Sequence, residues 1–221
     1  MVAPQKTIFR SGTTDRLVVL PSVSWETYER LLAEHQDPAG IRFSYDNGVL
    51  EIKVLSLRHE SPNRKLAWLI EVLAEEMEVD IEPAGSTTFQ REDLRKGFEP
   101  DSCFYIQNAE AIRGKEKIDL EVDPPPDLVI EIDITTDSLD KFPILAGVGV
   151  PEVWRYITEK VAIYKLEGDD YVEAEHSLAF PMLTSEMVAQ FLEESRQMKS
   201  SAWVRRVREW VRAQMKTNGQ P

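Results

Sequence analysis

One cysteine, three histidines and no apolar run approaching a membrane helix in length set the first limits on this 221-residue chain. Cys103 stands alone, so neither a disulfide nor a thiolate-metal cage can form within the chain, and its apolar strand context marks it as a small buried hydrophobe. His35, His59 and His176 are far apart and show no His-x-x-x-His or His-x-Glu spacing, which leaves zinc chemistry and a histidine general base without support. No Gly-x-x-x-x-Gly-Lys or Gly-x-Gly-x-x-Gly is present, and Gly147-Val148-Gly149 lacks the third glycine, so no nucleotide cofactor is indicated. Ser56, Thr135, Thr136 and Ser138 have no adjacent base and read as turn and cap residues. The N-terminus has no hydrophobic signal core, and the apolar stretches fall far short of the ~20 residues a bilayer requires. The expectation is a soluble, cytoplasmic protein with no membrane partner.

Positive charge is outnumbered, with 26 Lys and Arg against 39 Asp and Glu. The net charge of -13 argues against nucleic-acid binding spread over the whole surface, because that affinity comes largely from Lys and Arg at phosphates. The distribution is uneven, however. Acids concentrate between Glu71 and Glu82, whereas the tail carries Arg196, Lys199, Arg205, Arg206, Arg208, Arg212 and Lys216 against Glu209. Trp203, Val207, Trp210 and Val211 recur there at helical spacing, so the tail is either a docked helix with solvated charges or a phosphate-contacting face.

What the chain does have is a set of acids inside its most apolar strand. Leu128, Val129, Ile130 and Ile132 read as a strand covered on both faces, where an ionised carboxylate is costly unless paired. With a period of two, Asp127, Val129, Glu131 and Asp133 share one face and Leu128, Ile130, Ile132 and Ile134 the other. Pro100-Asp101 opens a second apolar strand, Asp101 to Ile106. Clustered carboxylates suit a hard divalent cation, although Asp101 and Glu131 would equally serve to cap a strand end or pair with an arginine. Asp133 is either a further metal ligand or a neutral acid beside Glu131, since adjacent carboxylates do not ionise freely together. Lys141 falls in the first turn of a short helix, where a cation faces the positive dipole end and calls for an anion, either Glu131 or a substrate phosphate. Glu60, near the start of a long helix, is favoured there by the dipole alone.

The order of elements is legible. Ser24 caps a helix from Trp25 to about His35, and Asp46-Asn47-Gly48 turns a hairpin between Arg42–Tyr45 and Val49–Leu55. Ser61-Pro62 precedes an amphipathic helix with Leu66, Leu69, Ile70, Leu73 and Met77 on one side. Strands follow near Val79–Pro83 and Thr87–Gln90, then the two acid-bearing strands. Asp140 caps a short helix that holds Pro143 and ends at Gly147 and Gly149. Strands Trp154–Ile157, Val161–Leu166 and Tyr171–Glu175 precede helices Ser185–Glu194 and Ser200–Met215. No linker divides the chain, so residues 1–221 are expected to form a single α/β domain, with a core of about 41–175 and a helical extension of about 184–216.

The run from Pro100-Asp101 through Glu131 to a lysine on the next helix resembles the active site of the PD-(D/E)XK nuclease superfamily, with Asp133 standing where that motif has lysine. Gly48-Val49-Leu50-Glu51 to Arg58-His59-Glu60, Asp127-Leu128-Val129-Ile130-Glu131, Asp140-Lys141-Phe142-Pro143 and Gly149-Val150-Pro151-Glu152-Val153-Trp154 resemble the Uma-two family within it, from about Ser24 to the C-terminal helices. The resemblance implies a restriction-endonuclease-like core, a mixed sheet flanked by helices in αβββαβ order. It implies catalysis by Asp101 and Glu131, which would hold Mg²⁺ or Mn²⁺ with a backbone carbonyl near Ile132 and with Asp133 as the candidate third ligand, and Lys141 as the catalytic cation. Glu60 would be an outer metal contact, and nucleic acid, most naturally DNA, the substrate. The rival is a catalytically inactive nuclease-fold scaffold. A homodimer is expected from the resemblance and from the apolar surface of Phe142, Ile144, Leu145, Val148, Val150, Val153 and Trp154.

Overall fold

The computed structural model describes residues 7–8, 15–35, 40–134 and 139–217; Thr135, Thr136 and Ser138 lie outside these. The chain opens with β1 (Thr7–Ile8), β2 (Arg16–Leu20) and α1 (Trp25–Glu34). Ser24 caps α1 as its position predicts, its hydroxyl accepting from the Thr27 amide. The hairpin of β3 (Ile41–Asp46) and β4 (Val49–Val54) turns on Asn47 at φ 46° and Gly48 at φ 92°, the two positive values that a tight hairpin turn of this kind requires. After α2 (Leu57–Glu76) and β5 (Glu82–Pro83) come β6 (Phe89–Arg91) and β7 (Lys96–Phe98). The first sheet is antiparallel throughout, in the order β1-β2-β4-β3-β7-β6. Trp25 and Tyr28 of α1 pack on Phe43, Tyr45 and Leu50 of this sheet. Gly97 leaves room for Tyr28, whose hydroxyl would stand 2.2 Å from a Cβ at that position.

Helix α2 starts at Leu57, several residues before the Ser61-Pro62 boundary predicted for it. Pro62 therefore sits inside the helix and forgoes the hydrogen bond its amide would have given the Arg58 carbonyl. Burial of Leu66, Leu69, Ile70 and Leu73 offsets that loss, and the extra turn brings His59 into the interior.

The remaining elements are β8 (Ser102–Tyr105), α3 (Ala109–Ile112), β9 (Leu128–Asp133), α4 (Phe142–Val148), β10 (Glu152–Ile157), β11 (Lys160–Glu167), β12 (Asp170–Ala174), α5 (Ser185–Gln197) and α6 (Ser200–Thr217). They form a second sheet in the order β12-β11-β10-β9-β8-β5, in which only β9 and β10 run parallel. Along this sheet α2, β5, β8, β9, α4 and β10 give the expected αβββαβ order in a mixed α/β fold. Leu128, Ile130 and Ile132 face α2, α5 and α6, whereas Val129 and Val153 face Ile144 and Leu145 of α4 and Phe89 and Phe98 of the first sheet.

Two expectations are corrected at this level, and the docked-helix alternative for the basic tail is borne out. Lys141, not Asp140, holds the cap position of α4; Asp140 accepts from the Phe142 amide at 3.2 Å, and Gly149 in the left-handed region (φ 85°) ends the helix while Gly147 lies within it. Ile144, Leu145, Val150, Val153 and Trp154 are buried within one chain, and Phe142 packs 4.8 Å from the rings of both Tyr164 and Tyr171, so these residues do not supply a face for a homodimer. The basic face of α6 is partly used: Arg208 reaches Glu75 at 2.6 Å and Arg212 reaches Glu76 at 2.7 Å, while Trp203, Val207 and Val211 are buried. Two arginines of the basic stretch thus pair with two glutamates of the acidic one across α2 and α6. Among the described residues, no helix is long and apolar enough to cross a membrane.

Candidate active site

A chain of buried charges lies where β4, β8, β9, α2 and α4 meet. Asp101 and Glu131 are each 3 % exposed, Lys141 7 % and Lys53 2 %. Asp101, at the mouth of β8, accepts from the Ile132 amide at 2.8 Å through Oδ2, which also lies 3.1 Å from His59 Nε2. The Ile132 amide belongs to the peptide that follows Glu131, so this bond fixes the two acids relative to each other. Asn63 on α2 donates to the Asp101 carbonyl at 3.0 Å and accepts from the Ser102 hydroxyl at 2.8 Å, tying the start of β8 to the long helix. Glu131 Oε2 receives Lys141 Nζ at 2.6 Å. Glu131 is thus the anion that the N-terminal position of Lys141 called for.

A second cation enters from the other sheet. On β4 the pleat turns Glu51 and Lys53 to the same side, and both are buried. Lys53 Nζ donates to the Ile132 carbonyl at 2.9 Å and stands 3.9 Å from both Asp15 Oδ2 and Asp133 Oδ1. Glu51 accepts from the Leu139 amide. Arg155 of β10 donates to Asp133 Oδ2 at 2.6 Å, so Asp133 faces two cations.

These neighbours separate the two central acids electrostatically. Burial alone would raise the Asp101 carboxyl, but the His59 contact and the Lys53 charge outweigh it and hold the group below the usual carboxylate range. Burial pushes Glu131 up to about 7; Lys141 opposes that rise and the Asp101 charge reinforces it. Burial also raises Glu51, against the pull of Lys141. Lys141 itself is opposed by burial, yet Glu131 and Asp101 overcome this and raise it, so its ammonium is secure.

Other buried acids behave differently. Asp127 accepts from the Ile106 amide and from the amide and side chain of Asn108, Glu152 from Trp154 Nε1 and the amides of Leu178 and Ala179, and Glu99 from the Phe43 amide and the Thr88 hydroxyl. Every oxygen of those three has a partner, which marks them as structural. Asp101 Oδ1 and Glu131 Oε1 are buried without one, as is Asp15 Oδ2. Carboxylate oxygens buried without a partner are expensive when charged, and a divalent cation would satisfy them. Among the described residues no three His, Cys, Asp or Glu side chains are grouped to hold an ion, so one bound here would rest on two carboxylates with backbone and water. That is the usual habit of Mg²⁺.

The family described as "Putative restriction endonuclease" matches this chain over residues 25–195. The chain belongs to the Uma2 family. A solved structure titled "a putative nuclease belonging to DUF820 from Anabaena variabilis" is similar at a TM-score of 0.48, with 13% identity over 68% of this chain and 90% of that one. A search of curated proteins finds no match.

Of the residues singled out in this Uma2 sequence, Asp101, Glu131 and Lys141 come together, and Asp133 lies beside them in its pairs with Arg155 and Lys53. Glu60 does not join them; it pairs with Arg64 at 2.7 Å, and its neighbour His59 turns inward instead. Lys53, Asp15 and Arg155 escaped the sequence reading, and Glu51 and His59 entered it only within the family motif, without a role in the site. The available signal was Glu51-Ile52-Lys53 in a strand that also carries Val49 and Leu50, with two opposite charges on the same side of the pleat.

Proposed function

We propose that this chain is a metal-dependent endonuclease that hydrolyses phosphodiester bonds of nucleic acid, DNA before RNA, with Mg²⁺ or Mn²⁺ at Asp101 and Glu131. The observation that carries this reading is the pair of buried, unpartnered oxygens, Asp101 Oδ1 and Glu131 Oε1, in a Uma2 site. When bound, the ion would polarise a phosphate oxygen and acidify a water. The side chains divide the remaining work. Asp101 is kept ionised by its closeness to His59 and by the Lys53 charge, and is aimed by the Ile132 amide. Glu131 gains its charge near neutral pH, so binding of the ion is coupled to loss of a proton there. Lys141 supplies a permanent cation for the charge that develops on the phosphoryl oxygens. A second ion at Asp133 or Glu60 has less support, because each is already paired with an arginine.

One observation favours the alternative, an inactive nuclease-fold scaffold: the Lys53 ammonium already occupies the Ile132 carbonyl assigned to the metal. The deciding experiment is a cleavage screen over supercoiled plasmid, single-stranded DNA and RNA with Mg²⁺ or Mn²⁺, using Glu131→Gln as control. Cleavage by the wild type and not by the variant supports the nuclease; no cleavage of any substrate with either metal leaves the scaffold.

A further inference from the structure

A cavity of about 520 Å³ opens beyond the C-terminal ends of β9 and β10, between α2 and α5. Its size falls in the roughly 300–1,000 Å³ range of small-ligand sites, and its position past the carboxyl ends of parallel strands is one where α/β sheets bind ligands. Ile134, which lines it, directly follows Asp133 but packs with the core on the α2, α5 and α6 side of the sheet, so the cavity lies across the end of β9 from the charged cluster.

Its charge sets it apart from the rest of this acidic molecule. Arg58, Lys65 and Arg196 line it against Glu159, and Arg196 already pairs with Glu159 at 3.6 Å and with Glu193 at 3.0 Å, which leaves Arg58 and Lys65 as its uncommitted cations among the lining residues. Two other sizeable cavities carry the opposite sign: one is lined by Asp140, Asp169 and Asp170, the other by Glu29, Glu92, Asp119 and Glu121 with only Lys117. An anion entering the molecule is favoured at the first and repelled at the others. The cations also have structure behind them. Lys65 Nζ lies 5.0 Å from the Trp68 ring centroid and 5.3 Å from that of Trp203, and Arg196 donates to the buried Tyr156 hydroxyl at 2.8 Å. Pro62, Ile134 and Leu192 add an apolar wall to the same cavity.

The rim is held in an unfavourable backbone. Thr158 and Glu159 form the turn between β10 and β11 with φ of 46° and 70°, a conformation suited to Asn-Gly and costly for a β-branched residue. The two side chains stand at the mouth at a backbone cost, with the Glu159 carboxylate held there by Arg196 at 3.6 Å.

We propose that this cavity is a nucleotide subsite, in which Arg58 and Lys65 hold the phosphate beside the Arg196–Glu159 pair and Pro62, Ile134 and Leu192 receive the sugar and base of a nucleotide adjoining the cleavage point. The proposal rests on the nuclease reading for its substrate, but its test does not need catalysis. The full chain in EDTA is titrated into labelled single-stranded DNA and RNA oligonucleotides across a range of salt, with a nucleoside monophosphate or inorganic phosphate as competitor. Arg58→Ala and Lys65→Gln should each weaken binding about tenfold and lower the salt slope by about one, while Arg205→Ala on the outer face of α6 should do neither. The monophosphate should compete where inorganic phosphate at the same concentration does not. No binding, unchanged binding in the cavity variants, equal weakening by Arg205→Ala, or equal competition by inorganic phosphate overturns the subsite. Such a failure with plasmid cleavage intact removes the subsite and leaves the nuclease; specific binding without cleavage does the reverse.

Discussion

Lys53 Nζ donates to the Ile132 carbonyl at 2.9 Å, a bond between residues of different sheets that carries a cation into the middle of the acidic cluster. The same ammonium stands between Asp15 and Asp133 at 3.9 Å from each. It therefore does two things at once: it neutralises buried acids, and it competes with any ion for that carbonyl.

Lys53→Met should separate those effects. Stability should fall by about 3–5 kcal/mol, because Asp15 and Asp133 lose a buried partner. Added Mg²⁺ should then raise the melting temperature of the variant more than that of the wild type, by mass action at a less contested site. Thermal scans with and without Mg²⁺ measure both. An equal shift in the two proteins would show that Lys53 and the ion do not compete.

The raised carboxyl of Glu131 gives a pH signature with a definite sign. The unfolded chain releases this proton near the ordinary 4.5, whereas the folded chain keeps it up to about 7. Across that window the folded state binds more protons, so this group's contribution to stability declines as pH rises from about 4.5 to about 7. Asp101, held low, works in the opposite sense, and its contribution is lost as the solution is acidified below its ordinary 3.8. Glu131→Gln should flatten the decline toward neutrality and leave the acid limb. The same variant should abolish Mg²⁺ binding, and wild-type binding below neutral pH should release protons, which calorimetry in buffers of different ionisation enthalpy detects. Denaturant titrations of both proteins across pH check the first part.

Residues that obey local rules were legible in advance. Asn47-Gly48 fixed a hairpin, the apolar run at Leu128 to Ile132 marked the central strand, and Trp203, Val207 and Val211 marked the docked face of α6. Within the site, Asp101, Glu131 and Lys141 could be found because a motif spaces them along one stretch of chain. Lys53, His59 and Asp15 could not, because their roles depend on which elements meet in space. His59 was concealed further by Pro62, which suggests a helix start where the helix is already under way. Strand β7 was missed because Lys96-Gly97-Phe98 has a central glycine, required by the closeness of Tyr28 and unrelated to strand propensity.

Asp133 occupies the usual lysine position of the motif, and its pairs make its replacement informative. Asp133→Asn removes the charge opposite Arg155 at 2.6 Å and Lys53 at 3.9 Å. The expected result is a loss of about 1–3 kcal/mol, visible as a lower melting temperature, with Mg²⁺ affinity retained. A higher melting temperature would mean that repulsion from Glu131 exceeds both attractions; lost Mg²⁺ affinity would make Asp133 a ligand.

Lys141 and Glu131 form the closest buried ion pair of the site, so a single substitution of either reports the stranded partner as much as the lost bond. A double-mutant cycle resolves this. Lys141→Met leaves Glu131 without its cation, although the tendency of that carboxyl to protonate near neutrality softens the penalty. The variant should be less stable than wild type by about 2–4 kcal/mol at pH 8 and by less at pH 6, where the carboxyl neutralises itself. In the Glu131→Gln background the same replacement strands no carboxylate there and should cost much less, giving a coupling energy of about 1–3 kcal/mol. Urea titrations of the four proteins at both pH values supply the numbers. If coupling is near zero at both, the ammonium is not held by Glu131 in solution, and the burial of Lys141 must be explained by Asp101 and Glu51, the other acids that act on its charge.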